Sequence, residues 1–311
     1  MSFNIVREKW RARLFEMCLG TQPHVVRAGG DAGLPFCHFE SEIPNRPVVA
    51  LEVTDLLDDS WPPAVRKSYA GVTENVVAWA NRCVSRGADV VALRLASTHP
   101  DARDAGPEEA AGTAARVAEA LAVPLIILGS GDATKDAAVL PEVAAALAGR
   151  NCLLGPATDE NYKSIAAACI AHGHNIIART PLDVNLAKQL NILITEMNLP
   201  PDRIAIDPSI GPLGYGIEYA YSVIERMRTA ALAGDRMLAQ PVLCMVGEEC
   251  WQTKEAQLET EDAWGEHVRR AILWEALTAS VLAVAGGSIF VFRHPEAAAY
   301  FRRQMDNLMK K

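Results

Sequence analysis

Side chains able to do chemistry recur in this chain at regular intervals, each set lying just after a short apolar run. They are Glu52, Thr54 and Asp55; Arg94, Ser97, Thr98 and His99; Ser130 and Asp132; Thr158, Asp159, Glu160 and Asn161; Arg179 and Thr180; Asp207 and Ser209; Glu248 and Glu249; and Arg293 and His294. Carboxylates, guanidiniums, hydroxyls and amides in nearly balanced charge suit the recognition of an anion or an amide. They do not spell a reaction. No nucleophile elbow, phosphate-binding loop, H-E-x-x-H or paired-carboxylate motif is present.

One stretch stands out: Asp207-Pro208-Ser209-Ile210-Gly211-Pro212-Leu213-Gly214-Tyr215-Gly216, with three glycines and two prolines in ten residues. It follows Arg203–Ile206, a β-branched run that reads as a buried strand, and precedes an amphipathic helix from Ile217 to Leu232. Such a turn brings backbone N–H groups close to a ligand, or else serves as a rigid connection.

The elements that must position these residues repeat. Apolar runs at 48–53, 90–95, 125–128, 152–154, 175–178, 204–206, 242–246 and 288–292 alternate with helical segments at 70–86, 107–122, 135–148, 159–171, 183–197, 217–232, 261–283 and 295–309. The runs are continuous, without alternation of period two, as expected of a parallel sheet covered on both faces. Eight strand–helix units predict a (β/α)8 barrel over residues 47–311, with function at the C-terminal ends of the strands. An open doubly wound sheet is the competing architecture, but no G-x-G-x-x-G follows the first strand. Residues 1–46 read as an N-terminal extension or lid: Arg7–Leu19 fits an amphipathic helix, and Gly29-Gly30-Asp31-Ala32-Gly33 breaks the chain after it.

Each chemical residue also has a plain structural reading. Glu52 and Arg94 fall at comparable heights on neighbouring strands and suit a buried ion pair. Ser130, Asp132, Thr158, Asp159, Thr180 and Asp183 precede helices and suit N-caps. His172-Gly173-His174 precedes the fifth strand, which places it on the opposite face of the barrel.

Composition bounds the function. The 311 residues are 50% hydrophobic and 22% charged, with a formal net charge of −8. That balance argues against nucleic acid or an anionic membrane as partner. The start, Met1 to Trp10, lacks the apolar core of a signal peptide, so a cytoplasmic protein is expected. Seven scattered cysteines without a C-x-x-C argue against a disulfide framework, a zinc site or an iron–sulfur cluster held by this chain.

The turn from Asp207 to Tyr219, continued by Tyr221-Ser222-Val223-Ile224-Glu225-Arg226-Met227-Arg228, resembles the signature of the small (delta) subunit of the corrinoid iron–sulfur protein of the acetyl-CoA decarbonylase/synthase system. The resemblance extends to Leu34-Pro35-Phe36 with Pro44-Asn45-Arg46-Pro47, to Val90–Leu95 and to Gly286-Gly287-Ser288, and so covers nearly the whole chain. It implies a barrel in a heterodimer with a large subunit that carries a [4Fe–4S] cluster and a corrinoid (cobalamin). The pair carries a methyl group between methyltetrahydrofolate and acetyl-CoA synthase, meeting the methyltetrahydrofolate methyltransferase and the synthase transiently. This chain would then cap the corrinoid as a non-catalytic subunit, sharing that cofactor and holding no metal. The candidate corrinoid contacts are Asp207, Ser209, Gly211, Gly214 and Tyr215 in the turn, with Thr54, Arg94, Ser97 and Asn161 at other strand ends. The alternative is a pterin-binding methyltetrahydrofolate:corrinoid methyltransferase, with Asp207 and Asn161 holding the pterin.

Overall fold

A computed structural model describes residues 6–259 and 262–310. Met1–Ile5, half of the start read for a leader, lie outside the described residues, as do Thr260 and Glu261, where the seventh helical segment was expected to begin.

The chain opens with an antiparallel hairpin, β1 (Glu16–Leu19) and β2 (Val26–Gly29). Eight barrel units follow. They are β3 (Val48–Thr54) with α1 (Pro63–Ser68) and α2 (Val76–Ser85), β4 (Val90–Arg94) with α3 (Pro107–Ala120), β5 (Leu125–Leu128) with α4 (Ala133–Ala146), and β6 (Leu153–Ala157) with α5 (Tyr162–His172). Next come β7 (Asn175–Arg179) with α6 (Val184–Glu196) and β8 (Ile204–Asp207) with α7 (Ile217–Ala233). The last two are β9 (Leu243–Cys244) with α8 (Val246–Cys250), α9 (Lys254–Gln257) and α10 (His267–Ala285), and β10 (Ile289–Phe292) with α11 (Pro295–Leu308).

All eight strands of the large sheet are parallel, in the order β8-β7-β6-β5-β4-β3-β10-β9. A parallel bridge from Ile206 to Val242 joins the two ends, and the Ile206 N–H donates to the Pro241 carbonyl at 2.9 Å. The sheet is therefore a barrel, as the strand–helix repeat requires.

Side chains alternate across the strands. Val48, Ala50, Val90, Ala92, Ile126, Leu128, Leu153, Ile177, Ala205, Leu243, Ile289 and Val291 fill the barrel interior as one buried cluster. Their neighbours, such as Val49, Leu51, Val91, Leu93, Ile127 and Phe290, face outward and pack under the helices. Burial on both sides explains the unbroken apolar runs.

No helix forms over Arg7–Leu19. The segment runs extended and then enters the hairpin, where Met17, Leu19 and Ala28 join the interior cluster. Asn151 and Asn175, at the N-terminal ends of strands, donate to the Cys18 carbonyl at 2.9 and 3.1 Å. The hairpin is thus held at the N-terminal end of the barrel, opposite the chemical residues. Tertiary contact outweighs helical periodicity here, because Leu14 and Trp10 pack instead against Ala231 and Leu232 of α7.

Other boundaries shift for local reasons. Asn75 caps α2 by accepting from the Val77 and Ala78 N–H groups, which starts that helix later than expected. Asp132 and Asp183 cap α4 and α6 as their positions suggested. His174 is buried under the barrel, where its ring nitrogens meet the Cys152 N–H and the Ala144 carbonyl.

Candidate functional site

The inward alternation that fills the barrel with aliphatic groups continues upward into charged ones. Above Ala50 stands Glu52, above Ala92 Arg94, above Ile177 Arg179, above Ala205 Asp207 and above Val291 Arg293. Their side chains interlock. Glu52 is fully buried and takes Arg94 Nε at 2.5 Å on one oxygen and Arg293 Nε at 2.9 Å on the other. Arg94 reaches on to Glu248 at 2.7 Å, and Arg179 Nε meets Asp207 at 2.7 Å. Glu248 and Arg179 approach to 4.0 Å, which links the two halves. Arg293 also donates to the Ser60 carbonyl at 2.8 Å and lies 4.6 Å over the Trp61 ring.

The energetics follow from burial. Desolvation alone would raise the Glu52 carboxyl, but the Arg293 and Arg94 guanidiniums outweigh it and bring it down to about 2. Arg94 is raised, because Glu52 and Glu248 outweigh its own desolvation. Three arginines match Glu52, Glu248 and Asp207, and Glu249 is left over. Its side chain makes no hydrogen bond or ion pair with the described residues, and burial, with Glu248 and Asp207 nearby, pushes it up to about 7.

Behind this layer, Glu275 of α10 is fully buried. Its carboxylate accepts from the Arg293 N–H at 2.7 Å and from Trp251 Nε1 at 2.9 Å, and approaches the His294 N–H at 3.3 Å. Burial nonetheless pushes it up to about 7.

The turn after β8 is built by its own polar atoms. The Ser209 N–H donates to Asp207 at 3.0 Å, and the Ser209 hydroxyl donates to the Thr180 carbonyl at 2.9 Å. Ser209 takes a positive φ of 56° and Gly214 one of 75°. Gly211 is buried, and a Cβ there would sit 2.5 Å from the Tyr215 carbonyl oxygen, so this glycine lets the loop fold on itself. Gly211→Ala is expected to cost about 1–3 kcal/mol through that clash, read as a lower melting temperature. Gly214→Ala has room and is expected to cost about 1 kcal/mol through its left-handed backbone alone.

Of the nine candidate contacts, Arg94 and Asp207 join the charged layer, and most of the others are engaged elsewhere. Thr54 bonds within its own turn to Leu56. Ser97 bonds to Asp55 through both its N–H and its hydroxyl. Asn161 accepts from the Thr158 N–H at 2.8 Å. Only Gly214 and Tyr215 are exposed. Tyr215 is 45% and neighbouring Tyr219 64% accessible, which leaves an aromatic face on the rim.

Arg179, Glu248, Glu249 and Arg293 stand at strand ends without having been singled out as contacts. Inward parity along β7 and β10 would have found the two arginines. Glu275 is spaced four residues from both Ala271 and Ala279 on the buried face of α10, a signal that its charge conceals.

Among the described residues, no three His, Cys, Asp or Glu side chains are grouped so as to hold a metal ion, and no helix is long and apolar enough to cross a membrane. All seven cysteines are free thiols, and burial pushes Cys83, Cys152 and Cys169 up to about 12.

The fold has close counterparts. Dihydropteroate synthase from Xanthomonas albilineans, in complex with indole-2-carboxylic acid and 6-chloroguanine, superposes with a TM-score of 0.61 over 95% of this chain and 100% of that one, at 15% identity. The enzyme from Burkholderia cenocepacia, complexed with 7,8-dihydropteroate, gives 0.54 over 88% and 96%, at 16% identity. At these identities the likeness shows the fold alone. Sequence relatives are nearer. Subunit delta 2 of the acetyl-CoA decarbonylase/synthase complex of Methanosarcina acetivorans is 36% identical over 292 residues, covering 91% of this chain. The delta subunit of Archaeoglobus fulgidus is 33% identical over 321 residues, covering 98%. This chain spans 66% of the length of the former and 71% of the latter. The family model of the CO dehydrogenase/acetyl-CoA synthase delta subunit matches residues 16–298. With the matched region reaching from the first strand of the hairpin into the last helix of the barrel, this chain belongs to that delta-subunit family.

Proposed function

We propose that this chain is the barrel subunit of a cytoplasmic corrinoid iron–sulfur methyl carrier, and that its rim covers a corrinoid held by a larger subunit. The observation that carries this reading is the filled barrel mouth. The chain Glu52–Arg94–Glu248–Arg179–Asp207 ties inward-facing side chains of the strand ends to one another, so the barrel mouth is closed by ion pairs and the surface offered outward is the rim around it.

The rim fits a broad, largely neutral macrocycle. Gly214 is exposed and carries no side chain, so a ligand can approach its backbone closely. Tyr215 and Tyr219 add aromatic surface with a polar tip. When bound, the corrinoid supplies the methyl-carrying chemistry at cobalt. This chain's tyrosines and glycine turn exclude water from its face, and the ion-paired layer beneath keeps the rim rigid. The larger subunit would bring the iron–sulfur cluster, and the methyltetrahydrofolate methyltransferase and acetyl-CoA synthase would meet the pair in turn.

The pterin-binding methyltransferase reading is less well supported. Asp207 and Asn161, the side chains it needs, are already bonded to Arg179, to the Ser209 N–H and to the Thr158 N–H.

Size-exclusion chromatography with a visible spectrum tests the reading, on this chain alone and then mixed with a corrinoid-loaded large subunit. Co-elution with shifted corrinoid bands is expected, and Tyr219→Asp should weaken it without lowering the melting temperature. A chain that elutes alone and leaves the bands unchanged, yet binds methyltetrahydrofolate, would overturn it.

A further inference from the structure

Beside the turn after β8 lies a cleft with a volume of about 290 Å³, walled by the turn after β6, the end of β7 and α6. Leu186 and Leu193 of α6 form an apolar trough in it. At one end stands Arg179. Its Nε is bonded to Asp207, whereas its terminal nitrogens make no hydrogen bond among the described residues, Glu248 lying 4.0 Å from one of them. Thr180, 6% exposed, lies in the wall, and its hydroxyl has no partner, an uncommon state for a buried polar group. Asp159 and Gln189, both exposed, complete the lining.

The charges decide what fits. Arg179 is already matched by Asp207, and Asp159 adds an unmatched negative charge, so an anion is disfavoured. A neutral group is favoured if its carbonyl oxygen accepts from Arg179 and its two N–H groups donate, one to Asp159 and one to the Gln189 amide oxygen. A short apolar stem beside the leucines completes the description, which is that of a primary carboxamide on an aliphatic arm.

We propose that this cleft receives a carboxamide arm of a macrocycle lying on the rim. The inference rests on the corrinoid reading above, since a corrinoid is edged with such arms, while the phosphate of its nucleotide tail would be repelled by Asp159. The Ser209 hydroxyl bonds to the Thr180 carbonyl, so the cleft and the turn are one rigid piece. An arm fixed here sets the rotation of the ring over Gly214 and Tyr215.

The test uses the complex of this chain with its corrinoid-loaded large subunit, titrated by visible spectrum, and the same subunit without corrinoid. Asp159→Ala and Gln189→Ala are each expected to weaken association with the loaded subunit about tenfold, as loss of one hydrogen bond to a polar arm allows. Leu193→Arg, which fills the trough, should weaken it further. All three should bind the corrinoid-free subunit as the wild type does and keep its melting temperature. Loading with a corrinoid whose peripheral amides are hydrolysed to carboxylates should weaken the wild type. Variants that match the wild type on the loaded subunit would overturn the cleft while leaving the corrinoid reading intact. So would equal losses on loaded and empty subunit, which would mark a protein contact. A wild type indifferent to loading would overturn both.

Discussion

Glu52→Gln is expected to destabilise the protein by about 3–5 kcal/mol, because it leaves Arg293 buried with no carboxylate and strips Arg94 of one of its two. For a chain of this size the melting temperature should fall by roughly 10 °C. The shape of the side chain is kept, so the loss measures charge and not packing. An exposed pair is the control: Glu109→Gln, which breaks the contact with Arg103, should change stability by less than about 1 kcal/mol. A Glu52→Gln protein that melts like the wild type would show that water reaches the charged layer.

The second large effect is on pH dependence. Glu275 has its carboxyl pushed up to about 7 from an ordinary value of about 4.5. Between these values the folded protein holds a proton that the unfolded chain has released. The share of stability due to Glu275 therefore falls by about 3 kcal/mol as pH rises from 4.5 to 7 and is level above. Glu249 adds to the same slope, but its partial exposure cuts its share to about 1 kcal/mol. Glu52 acts in the opposite sense: its contribution is present above about 4.5 and is lost as pH falls towards about 2. His294 opposes this slope: burial pushes its imidazole down to about 4 from an ordinary value of 6.5, so its contribution grows as pH rises from about 4 to 6.5. Urea unfolding at a series of pH values should therefore show stability nearly level between about pH 5 and 6.5, and Glu275→Gln should turn that stretch into a rise. Stability that climbs from pH 5 to 7 would mean that the three N–H donors around Glu275 hold it charged in the fold.

Much of this was legible in the chain. Eight unbroken apolar runs spaced by helical segments leave few alternatives to a barrel, since only strands covered on both faces lack a polar side. The Glu52–Arg94 pair was legible too, because both point inward near the ends of adjacent parallel strands, and the long Arg94 side chain reaches back from its place beside Thr54 to Glu52. What could not be read was how the layer closes. Arg293 and Glu52 are 241 residues apart, and their meeting depends on the register between β10 and β3. Strand β9 is shorter than its apolar run because Val246 already begins α8, whose Gly247 packs on the Arg293 backbone so tightly that a Cβ would lie 2.5 Å from its nitrogen. The stretch from Arg7 to Leu19 carried a helical pattern, but the space beneath the strands offers its apolar residues more burial than a solvated helix would.

The candidate site was legible by place and not by role. Strand ends pointed to the correct face, yet hydrogen bonding within the fold has claimed Thr54, Ser97 and Asn161, and no spacing rule foretells which polar side chain a turn will use for itself. Of the nine, the exposed pair Gly214 and Tyr215 is what remains open to a partner.

The hairpin under the barrel sets an order of events during synthesis. Met17 and Leu19 are made before any of the barrel strands they sit beneath, but their seat is made of residues from Val48 to Val291. It is complete only when β10 has been made and paired with β3. Until then the hairpin lacks part of its seat and waits for the last barrel strand. Nascent chains halted before β10 should therefore be the species most in need of a chaperone, and their β1–β2 region the part most open to proteases.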